Sequence, residues 1–476
     1  MDKRKLKQGF AYFLLLYFAL AIGFYFIGGE QLQFSSSDAV SQSPEAVSSV
    51  GELTQGTAVT ESFTLSSDTL DKISLLFGTY GRDNTGSLLV RILDSEENVL
   101  FRQSIDVSKL SDNGLFDIRP DSPLISEKGK RLALEITSAD GASGNAVTVL
   151  TGAPSDLGDT VLTVNGQTQP LVLCLTVYGS SRLLIGRFYF VFAAAVGLLL
   201  LLLFADALKK QKSGKSSLIL NAVSAVVRYR FLLSQLVIRD FKAKYKRSVL
   251  GVVWSLLNPL ITMMVQYVIF SRLFRSDIDN FPVYLLTGIV FFNFFSEATT
   301  MSLVSITSNA SLITKVYVPK YIFPVSRALS SSINLLISMI PLLLVSIIMR
   351  TPITPAILLL PFGILCMIAF CTGLALMLSA FMVFFRDTQF LWNIMIMLWM
   401  YATPIFYPVS IIPDRFMVFY KLNPLYHFIR FNRIVILQGV SPEPRAYLYC
   451  LVFALGSLTV GTLIFKKVQD WFVINL

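Results

Sequence analysis

Long apolar runs fill both ends of the chain, and a stretch of short alternating runs lies between them. Residues 10–27 form an uninterrupted apolar run of 18, enough for about 27 Å of helix at about 1.5 Å per residue. Four basic residues precede it within residues 1–7, which predicts a helical anchor whose amino end stays on the cytoplasmic side. A cleaved signal peptide is the competing reading; the run is longer than a usual signal core, and no small-x-small site follows at once. Residues 30–58 show little patterning and read as a flexible lead-in. From residue 60 to 178, alternating runs at 62–65, 72–77, 87–93, 98–101, 131–136, 146–150 and 171–177 are split by Asp83-Asn84, Asp112-Asn113-Gly114 and Asp140-Gly141. That spacing predicts about seven strands in an antiparallel, jelly-roll-like β-sandwich.

The pattern then changes period. Residues 188–205 form a second long apolar run, followed by a lysine-bearing connector with Lys209, Lys210, Lys212 and Lys215. Next, Tyr229, Leu233, Val237, Phe241 and Tyr245 recur every four positions, with Leu232 and Leu236 widening the stripe, while Arg228, Arg230, Arg239, Lys242, Lys244, Lys246 and Arg247 crowd the remainder. This is an amphipathic helix expected to lie in the headgroup plane. Six apolar segments follow, at 249–271, 282–307, 325–349, 356–384, 389–407 and 446–465. Between the last two, residues 411–422 and 426–438 are too short to span, and Pro408, Pro413 and Pro424 bound them; they read as helices that dip into the outer leaflet and return.

Composition fixes the class. Hydrophobic residues make up 54% of the 476 and charged residues 15%, which describes a polytopic α-helical membrane protein with about eight transmembrane helices and an extracytoplasmic all-β sandwich. The net charge of +10 hides an asymmetry: residues 28–184 carry 20 acidic and 10 basic side chains, so this part stands at −10 and the remainder at +20. Lysines and arginines beside apolar spans hold loops on the cytoplasmic side, and Lys315, Lys320, Arg386, Lys466 and Lys467 all fall there if both termini are cytoplasmic. The basic excess therefore calls for no nucleic acid partner. Three of the four cysteines lie in apolar spans and only Cys174 in the polar region, so no intrachain disulfide is expected there and the redox compartment stays open. The expected division is an anchor at 1–28, the β-sandwich with its lead-in at 29–182, a second transmembrane helix at 183–206, a cytoplasmic linker at 207–217, the interfacial helix at 218–248, and a six-helix domain at 249–476 with re-entrant pieces at 408–440.

Several candidate sites carry less than they first suggest. Gly214-Lys215-Ser216 imitates the end of a phosphate-binding loop, but Lys209 stands where the first glycine belongs and an apolar span precedes it. Asp277 and Asp279 imitate a metal-binding Asp-x-Asp in what reads as a turn, and His427 has no neighbouring ligand, so no metal site is expected. Arg239-Asp240 and Arg386-Asp387 read as pairs that fix helix ends.

Four stretches carry a specific resemblance: RDFKAKYKRSVLGVVWSLLNP at 239–259, TGIVFFNFFSE at 287–297, NASLITKVYVPK at 309–320, and FRDT at 385–388 continuing to PIFYPVSIIP at 404–413. In this order they resemble ABC-2-type permeases that export polysaccharides, O-antigens and teichoic acids, over roughly residues 218–476. The first 217 residues depart from the compact form of that family. The resemblance implies a homodimer working with two copies of a separate ATP-binding subunit, which would hold the ATP and Mg; this chain would hold no cofactor and have no catalytic residues. It implies that Lys315, Val316, Tyr317, Pro319 and Lys320 couple to the ATPase through an apolar knob with a cationic rim. Arg239, Asp240, Lys242, Lys244, Tyr245 and Lys246 would form the interfacial helix against membrane lipid and one wall of the ATPase dock.

For the cargo, a glycan polymer on a lipid carrier, the implied path or gate residues are Phe291, Phe292, Phe295, Trp392, Trp399, Tyr401, Phe406 and Tyr407, whose rings suit the apolar faces of sugars; interfacial anchoring and packing against lipid are the rival roles for each of them. Glu297, about 21 Å into its helix, is too expensive to face lipid and is expected to face the dimer interior or a pairing partner. A membrane-embedded glycan-modifying enzyme or synthase, and an exporter of lipid or small molecules, remain the alternatives. In the β-sandwich, Tyr80, Phe101, Phe116 and Tyr178 suit either sugar stacking or core packing.

Overall fold

The computed structural model describes residues 3–35, 38–41, 45–120, 122–125, 128–153, 160–212, 218–246, 248–273, 280–316 and 318–475. They divide into two units, one of residues 1–31 with 189–476 and the other of residues 32–188.

The second unit is a β-sandwich. Its strands are β1 (Asp38–Ser41), β2 (Ala46–Ser49), β3 (Ala58–Thr64), β4 (Thr69–Leu70), β5 (Lys72–Gly78), β6 (Ser87–Leu93), β7 (Val99–Asp106), β8 (Gly114–Ile118) and β9 (Leu124–Ile125). There follow β10 (Arg131–Ser138), β11 (Thr148–Gly152), β12 (Val161–Val164), β13 (Gln167–Gln169), β14 (Val172–Leu173) and β15 (Leu175–Gly179). One sheet runs β13-β12-β3-β10-β6-β7; the other runs β1-β15-β5-β11-β14, with β2 on β11 and β8 on β5. Strict alternation puts every second residue inward along β3, β6 and β10. Val59, Phe63, Val90, Ile92, Leu134 and Ile136 from the first sheet meet Ile73, Leu75, Phe77, Val149 and Leu175 from the second in one core. Each such side chain contributes about 1.5–3 kcal/mol by leaving water.

The strand count exceeds the seven expected from alternation. The lead-in was expected to be unstructured, yet β2 pairs with β11 at Leu150–Ser49 and β1 with β15. Strand β2 gains from main-chain pairing what its mostly exposed side chains do not supply. The β12–β13 hairpin turns at Asn165 and Gly166, whose φ angles of 50° and 80° suit the left-handed region that this dipeptide enters readily.

The first unit is helical. A helix α1 (Lys3–Gln33) is kinked at Gly29, and after the single turn α2 (Leu184–Arg187), which belongs to the β unit, come α3 (Tyr189–Lys212) and α4 (Leu218–Tyr245). Tyr17 Oη donates to Ala193 O at 2.8 Å and Tyr189 Oη to Ala21 O at 2.7 Å, joining α1 to α3 as an antiparallel pair. There follow α5 (Val253–Leu273), α6 (Phe281–Leu303), α7 (Ala310–Lys315), α8 (Ile322–Ile348), α9 (Leu360–Phe384), α10 (Thr388–Tyr401), α11 (Asp414–Leu422), α12 (Pro424–Arg433) and α13 (Pro444–Val468).

Among the described residues, seven helices are long and apolar enough to cross a membrane. The segment expected at 389–407 forms instead the 14-residue α10, about 21 Å long, because the backbone leaves helical geometry before Pro404. The two pieces after it are α11 and α12, and α12 runs on as a π-turn through Gln438 before Gly439, at φ +64°, ends it.

Helix α6 is the hub, with most of its length buried against α5, α8, α9 and α12. Helices α9 and α13 meet backbone to backbone: a Cβ on Gly461 would lie 2.0 Å from Gly373 O, and Ser457 Oγ donates to Phe370 O at 2.8 Å. Small residues allow that approach, and dispersion across it replaces the hydrophobic drive that lipid removes.

Candidate functional site

The interfacial helix is fastened to the bundle by its polar residues as well as its apolar stripe. Tyr229, Leu232, Leu233 and Leu236 pack with Ile306, Ile313, Ile322, Phe323, Phe465 and Phe472. The stripe was expected to face lipid; it faces protein, because periodicity reveals an apolar face without revealing what covers it. Lys242, Lys244 and Lys246 remain on the exposed side, and Arg247 lies outside the described residues.

At the carboxyl end of α4, Lys244 Nζ lies 2.7 Å from Glu297 Oε2 on α6. Asn334 Nδ2 on α8 donates to Glu297 Oε1 at 2.6 Å, and Tyr245 Oη donates to Asn334 Oδ1 at 2.8 Å while also bonding Ser255 Oγ on α5. One polar cluster thus joins α4, α5, α6 and α8. Glu297 stands six residues before the end of α6, about 9 Å from it, so its carboxylate is met by the interfacial lysine where the span approaches the surface. Of the two expectations for Glu297, this is the paired one.

A turn earlier, Asp240 is buried between Arg239 Nη2 at 2.9 Å and Arg327 Nη1 at 3.3 Å, its carboxylate only 2% exposed. The pair Arg239-Asp240 therefore ties α4 to α8 rather than fixing a helix end alone. The pair Arg386-Asp387 sits exposed where α9 gives way to α10.

The segment after α6 turns through a 3-10 element at Thr307–Asn309 into α7. Ile313 anchors it in the core around Leu236, whereas Lys315 is exposed and Val316 is 49% exposed. Val316 is an outward knob; Tyr317 lies outside the described residues, and Pro319 is half-buried. Lys320 departs from expectation: its Nζ donates to Gln469 O at 2.6 Å and lies 5.8 Å from the Phe472 ring centroid. One of the ammonium's three donors is thus engaged by a carbonyl of the carboxyl-terminal segment.

The aromatic residues expected along a path fall into two groups. Phe291, Phe292 and Phe295 are buried in the core, with Phe295 packed between Phe370, Trp392 and Trp399 at centroid distances of 6.4, 6.1 and 5.1 Å. These phenylalanines pack inside the bundle, while the face of α6 left open carries Asn293, Ser296, Glu297 and Thr300. Trp392 donates to Thr299 Oγ1 at 3.2 Å, and Trp399 donates to Asn423 Oδ1 at 2.7 Å. Phe406 stacks on Phe270 at 5.0 Å, Tyr407 Oη donates to Tyr401 O at 2.7 Å, and the Tyr401 ring is exposed.

One residue in this region escaped the sequence reading. Arg433, at the end of α12, is 7% exposed, and its described hydrogen-bond partners are all backbone carbonyls, those of Tyr284, Pro404 and Ile405. The available signal was an arginine inside an apolar piece at membrane depth, which is costly enough to mark function by default.

His427 has Nε2 2.7 Å from Lys421 O and its ring against Tyr449 and Phe453, a packed arrangement. Among the described residues, no group of three or more His, Cys, Asp or Glu is placed to hold a metal. Asp277, Asp279 and the stretch Gly214-Lys215-Ser216 lie outside them. In the β unit, Phe116 packs edge-on against Phe77 and the Tyr178 ring is capped by Lys72 Nζ at 4.0 Å, while Tyr80 is 43% exposed. The same unit buries Glu61 completely between the sheets, its Oε2 accepting from Leu173 N and its Oε1 without a hydrogen-bond partner among the described residues; burial pushes its carboxyl up to about 7.

Residues 232–437, from the interfacial helix to the π-turn after α12, match the family described as ABC-2 type transporter. The O-antigen export system permease protein RfbA of Klebsiella pneumoniae is 32% identical over 234 residues, 48% of this chain and 89% of that protein. RfbA of Myxococcus xanthus is 28% identical over 255 residues, 53% of this chain and 98% of that protein. The polysialic acid transport protein KpsM of Escherichia coli is 24% identical over 240 residues, 49% of this chain and 92% of that protein. These relatives correspond to about half of the chain, and nearly the whole of each is matched. With its long apolar helices and an interfacial helix bound to them, the chain belongs to the ABC-2 type transporter family as a multi-pass membrane permease.

Proposed function

We propose that the protein is the membrane-spanning subunit of an ATP-driven exporter that moves a lipid-linked or polymeric glycan across the cytoplasmic membrane. The observation that carries this reading is the 32% identity that spans 89% of an O-antigen export permease. In this reading two copies of the chain work with two copies of an ATP-binding subunit, which holds ATP and Mg. Both termini are cytoplasmic and the β-sandwich is extracytoplasmic, as the distribution of basic residues favours.

Residues 309–320 dock the ATPase, with Val316 as the knob and Lys315 beside it. Motion of this segment reaches the spans by two routes. Ile313 packs in the same core as Leu236 of α4, and the Lys244–Glu297–Asn334 cluster joins α4 to α6 and α8. The turn after α10 with α11 and α12 forms the outer gate, where Tyr401, Phe406 and Tyr407 meet the cargo. Exposed Tyr80 supports a contact between the β-sandwich and the emerging polymer. Purification from native membranes tests the assembly: a copurifying ATP-binding protein in equal stoichiometry is expected, and isolation without one overturns it.

A further inference from the structure

Arg433 is a buried cation that binds no described carboxylate. Nη1 donates to Pro404 O at 2.6 Å, Nη2 to Ile405 O at 2.8 Å and to Tyr284 O at 3.1 Å, and Nε to Tyr284 O at 3.3 Å. Its guanidinium lies 3.4 Å from the Tyr284 ring centroid, and Tyr284 Oη donates in turn to Tyr407 O at 2.8 Å and Pro404 O at 3.3 Å. The group thus reads both edges of one gap: α6 on one side, and on the other the irregular turn from Thr403 to Tyr407.

That turn explains the arginine. Helix α10 ends at Tyr401 and the next 3-10 element begins at Val409, so the carbonyls of Pro404 and Ile405 have no helical donor while their residues are buried. Non-helical backbone at membrane depth survives only where its polar groups are satisfied. A planar fork of five donors spread over three nitrogens meets three separately placed carbonyls in fixed directions, whereas a lysine offers its three donors from a single nitrogen. Gly288 makes room for it: a Cβ there would lie 2.7 Å from Arg433 Nη2 and 2.9 Å from Ile405 Cγ2.

We propose that Arg433 is a positioning residue for transport, a clasp that holds the Thr403–Tyr407 turn against α6, so that the path opens only when turn and helix part at this guanidinium. This rests on the exporter reading for its role, whereas the clasp itself is read without cargo. The turn must either leave Arg433 or carry it along, and α12 joins the guanidinium to the rest of the gate.

The test uses the full chain with its ATP-binding partner in lipid nanodiscs and an added cysteine, Ile405→Cys, at a position now 2% exposed. N-ethylmaleimide labelling is followed site by site by mass spectrometry, with the four native cysteines, all buried, reporting on global loosening. In the Arg433→Gln and Tyr284→Phe backgrounds, labelling at position 405 is expected to accelerate at least tenfold, with Arg433→Lys close to Arg433→Gln and the native cysteines unchanged. Glycan exported per ATP hydrolysed should fall in the same variants without the Ile405→Cys change. The proposal is overturned if position 405 stays protected in these variants, if all five cysteines accelerate together in each of them, or if labelling accelerates while the export ratio is unchanged. Absence of glycan export from the wild type would instead refute the cargo reading, with the labelling result still deciding the clasp.

Discussion

The Lys244–Glu297 link gives a quantitative handle on how the interfacial helix is held. Two opposite charges about 2.7 Å apart attract by about 6 kcal/mol at an effective dielectric of about 20. Their side chains are 35% and 25% exposed, so desolvation and side-chain ordering offset most of this and leave about 1–2 kcal/mol of pair coupling. Glu297→Gln keeps an acceptor for Asn334 Nδ2 and removes only the charge, so it should cost about 1–2 kcal/mol. Glu297→Ala also strands that buried donor and should cost a further ~1–3 kcal/mol. Lys244→Gln should cost about as much as Glu297→Gln, and the double variant should cost less than the two singles together by the coupling energy. The assay is reversible unfolding of the four proteins in mixed bicelles, scored as a double-mutant cycle beside ATP-dependent export in the reconstituted transporter. Single costs that add within about 0.3 kcal/mol would refute the argument that these charges act as a pair. Normal export by a stably folded Lys244→Gln/Glu297→Gln protein would refute their role in transmission.

Other consequences are as direct. Glu61, raised from 4.5 to about 7 by burial, binds its proton more tightly folded than unfolded, so its stabilising contribution is complete below pH about 4.5 and is lost as pH rises through about 7. The loss approaches about 3 kcal/mol; hydrogen exchange at residues 58–64 and 171–177 of the full chain should be faster at pH 8 than at pH 5.5 after intrinsic correction, and Glu61→Gln should flatten the difference. Gly461→Val should cost about 1–3 kcal/mol or more by prying α9 from α13, whereas Gly456→Ala, inside α13 where a Cβ meets nothing within 4 Å, should not lower the unfolding midpoint and should raise stability by up to about 1 kcal/mol. Val316→Asp, at an exposed position, should alter stability by less than about 0.5 kcal/mol while abolishing copurification of the ATP-binding subunit.

Much of the architecture was readable because its signals are long or periodic. Eighteen apolar residues at 10–27, the every-fourth stripe from Tyr229 to Tyr245, and the paired short pieces after Pro408 each correspond to a helix. What covers those helices was not readable: Leu232 and Leu236 face protein where hydropathy allowed lipid, and Phe291 and Phe295 are enclosed where chemistry allowed a path. Strands β1 and β2 lack internal alternation and exist through their partners β15 and β11. The β12–β13 hairpin did carry a signal, the Asn165-Gly166 pair between short alternating runs. Arg433 was hidden by averaging, since one charge hardly lowers the hydropathy of a window, and its partners are carbonyls, which every sequence contains. Lys320 shows the converse, a cation whose position suggested a docking rim and whose partner, Gln469 O, is distant in sequence.

The most direct test of the central claim is where glycan accumulates when the protein is removed from its native cell. Lipid-linked glycan would be quantified in the cytoplasmic leaflet and polymer at the surface, before and after deletion and after restoration of the gene. Glycan export by this permease predicts loss of surface polymer with accumulation of its lipid-linked precursor inside, both reversed by the wild-type chain. Surface polymer at its original level in the deletion strain, with no internal accumulation, would contradict the account.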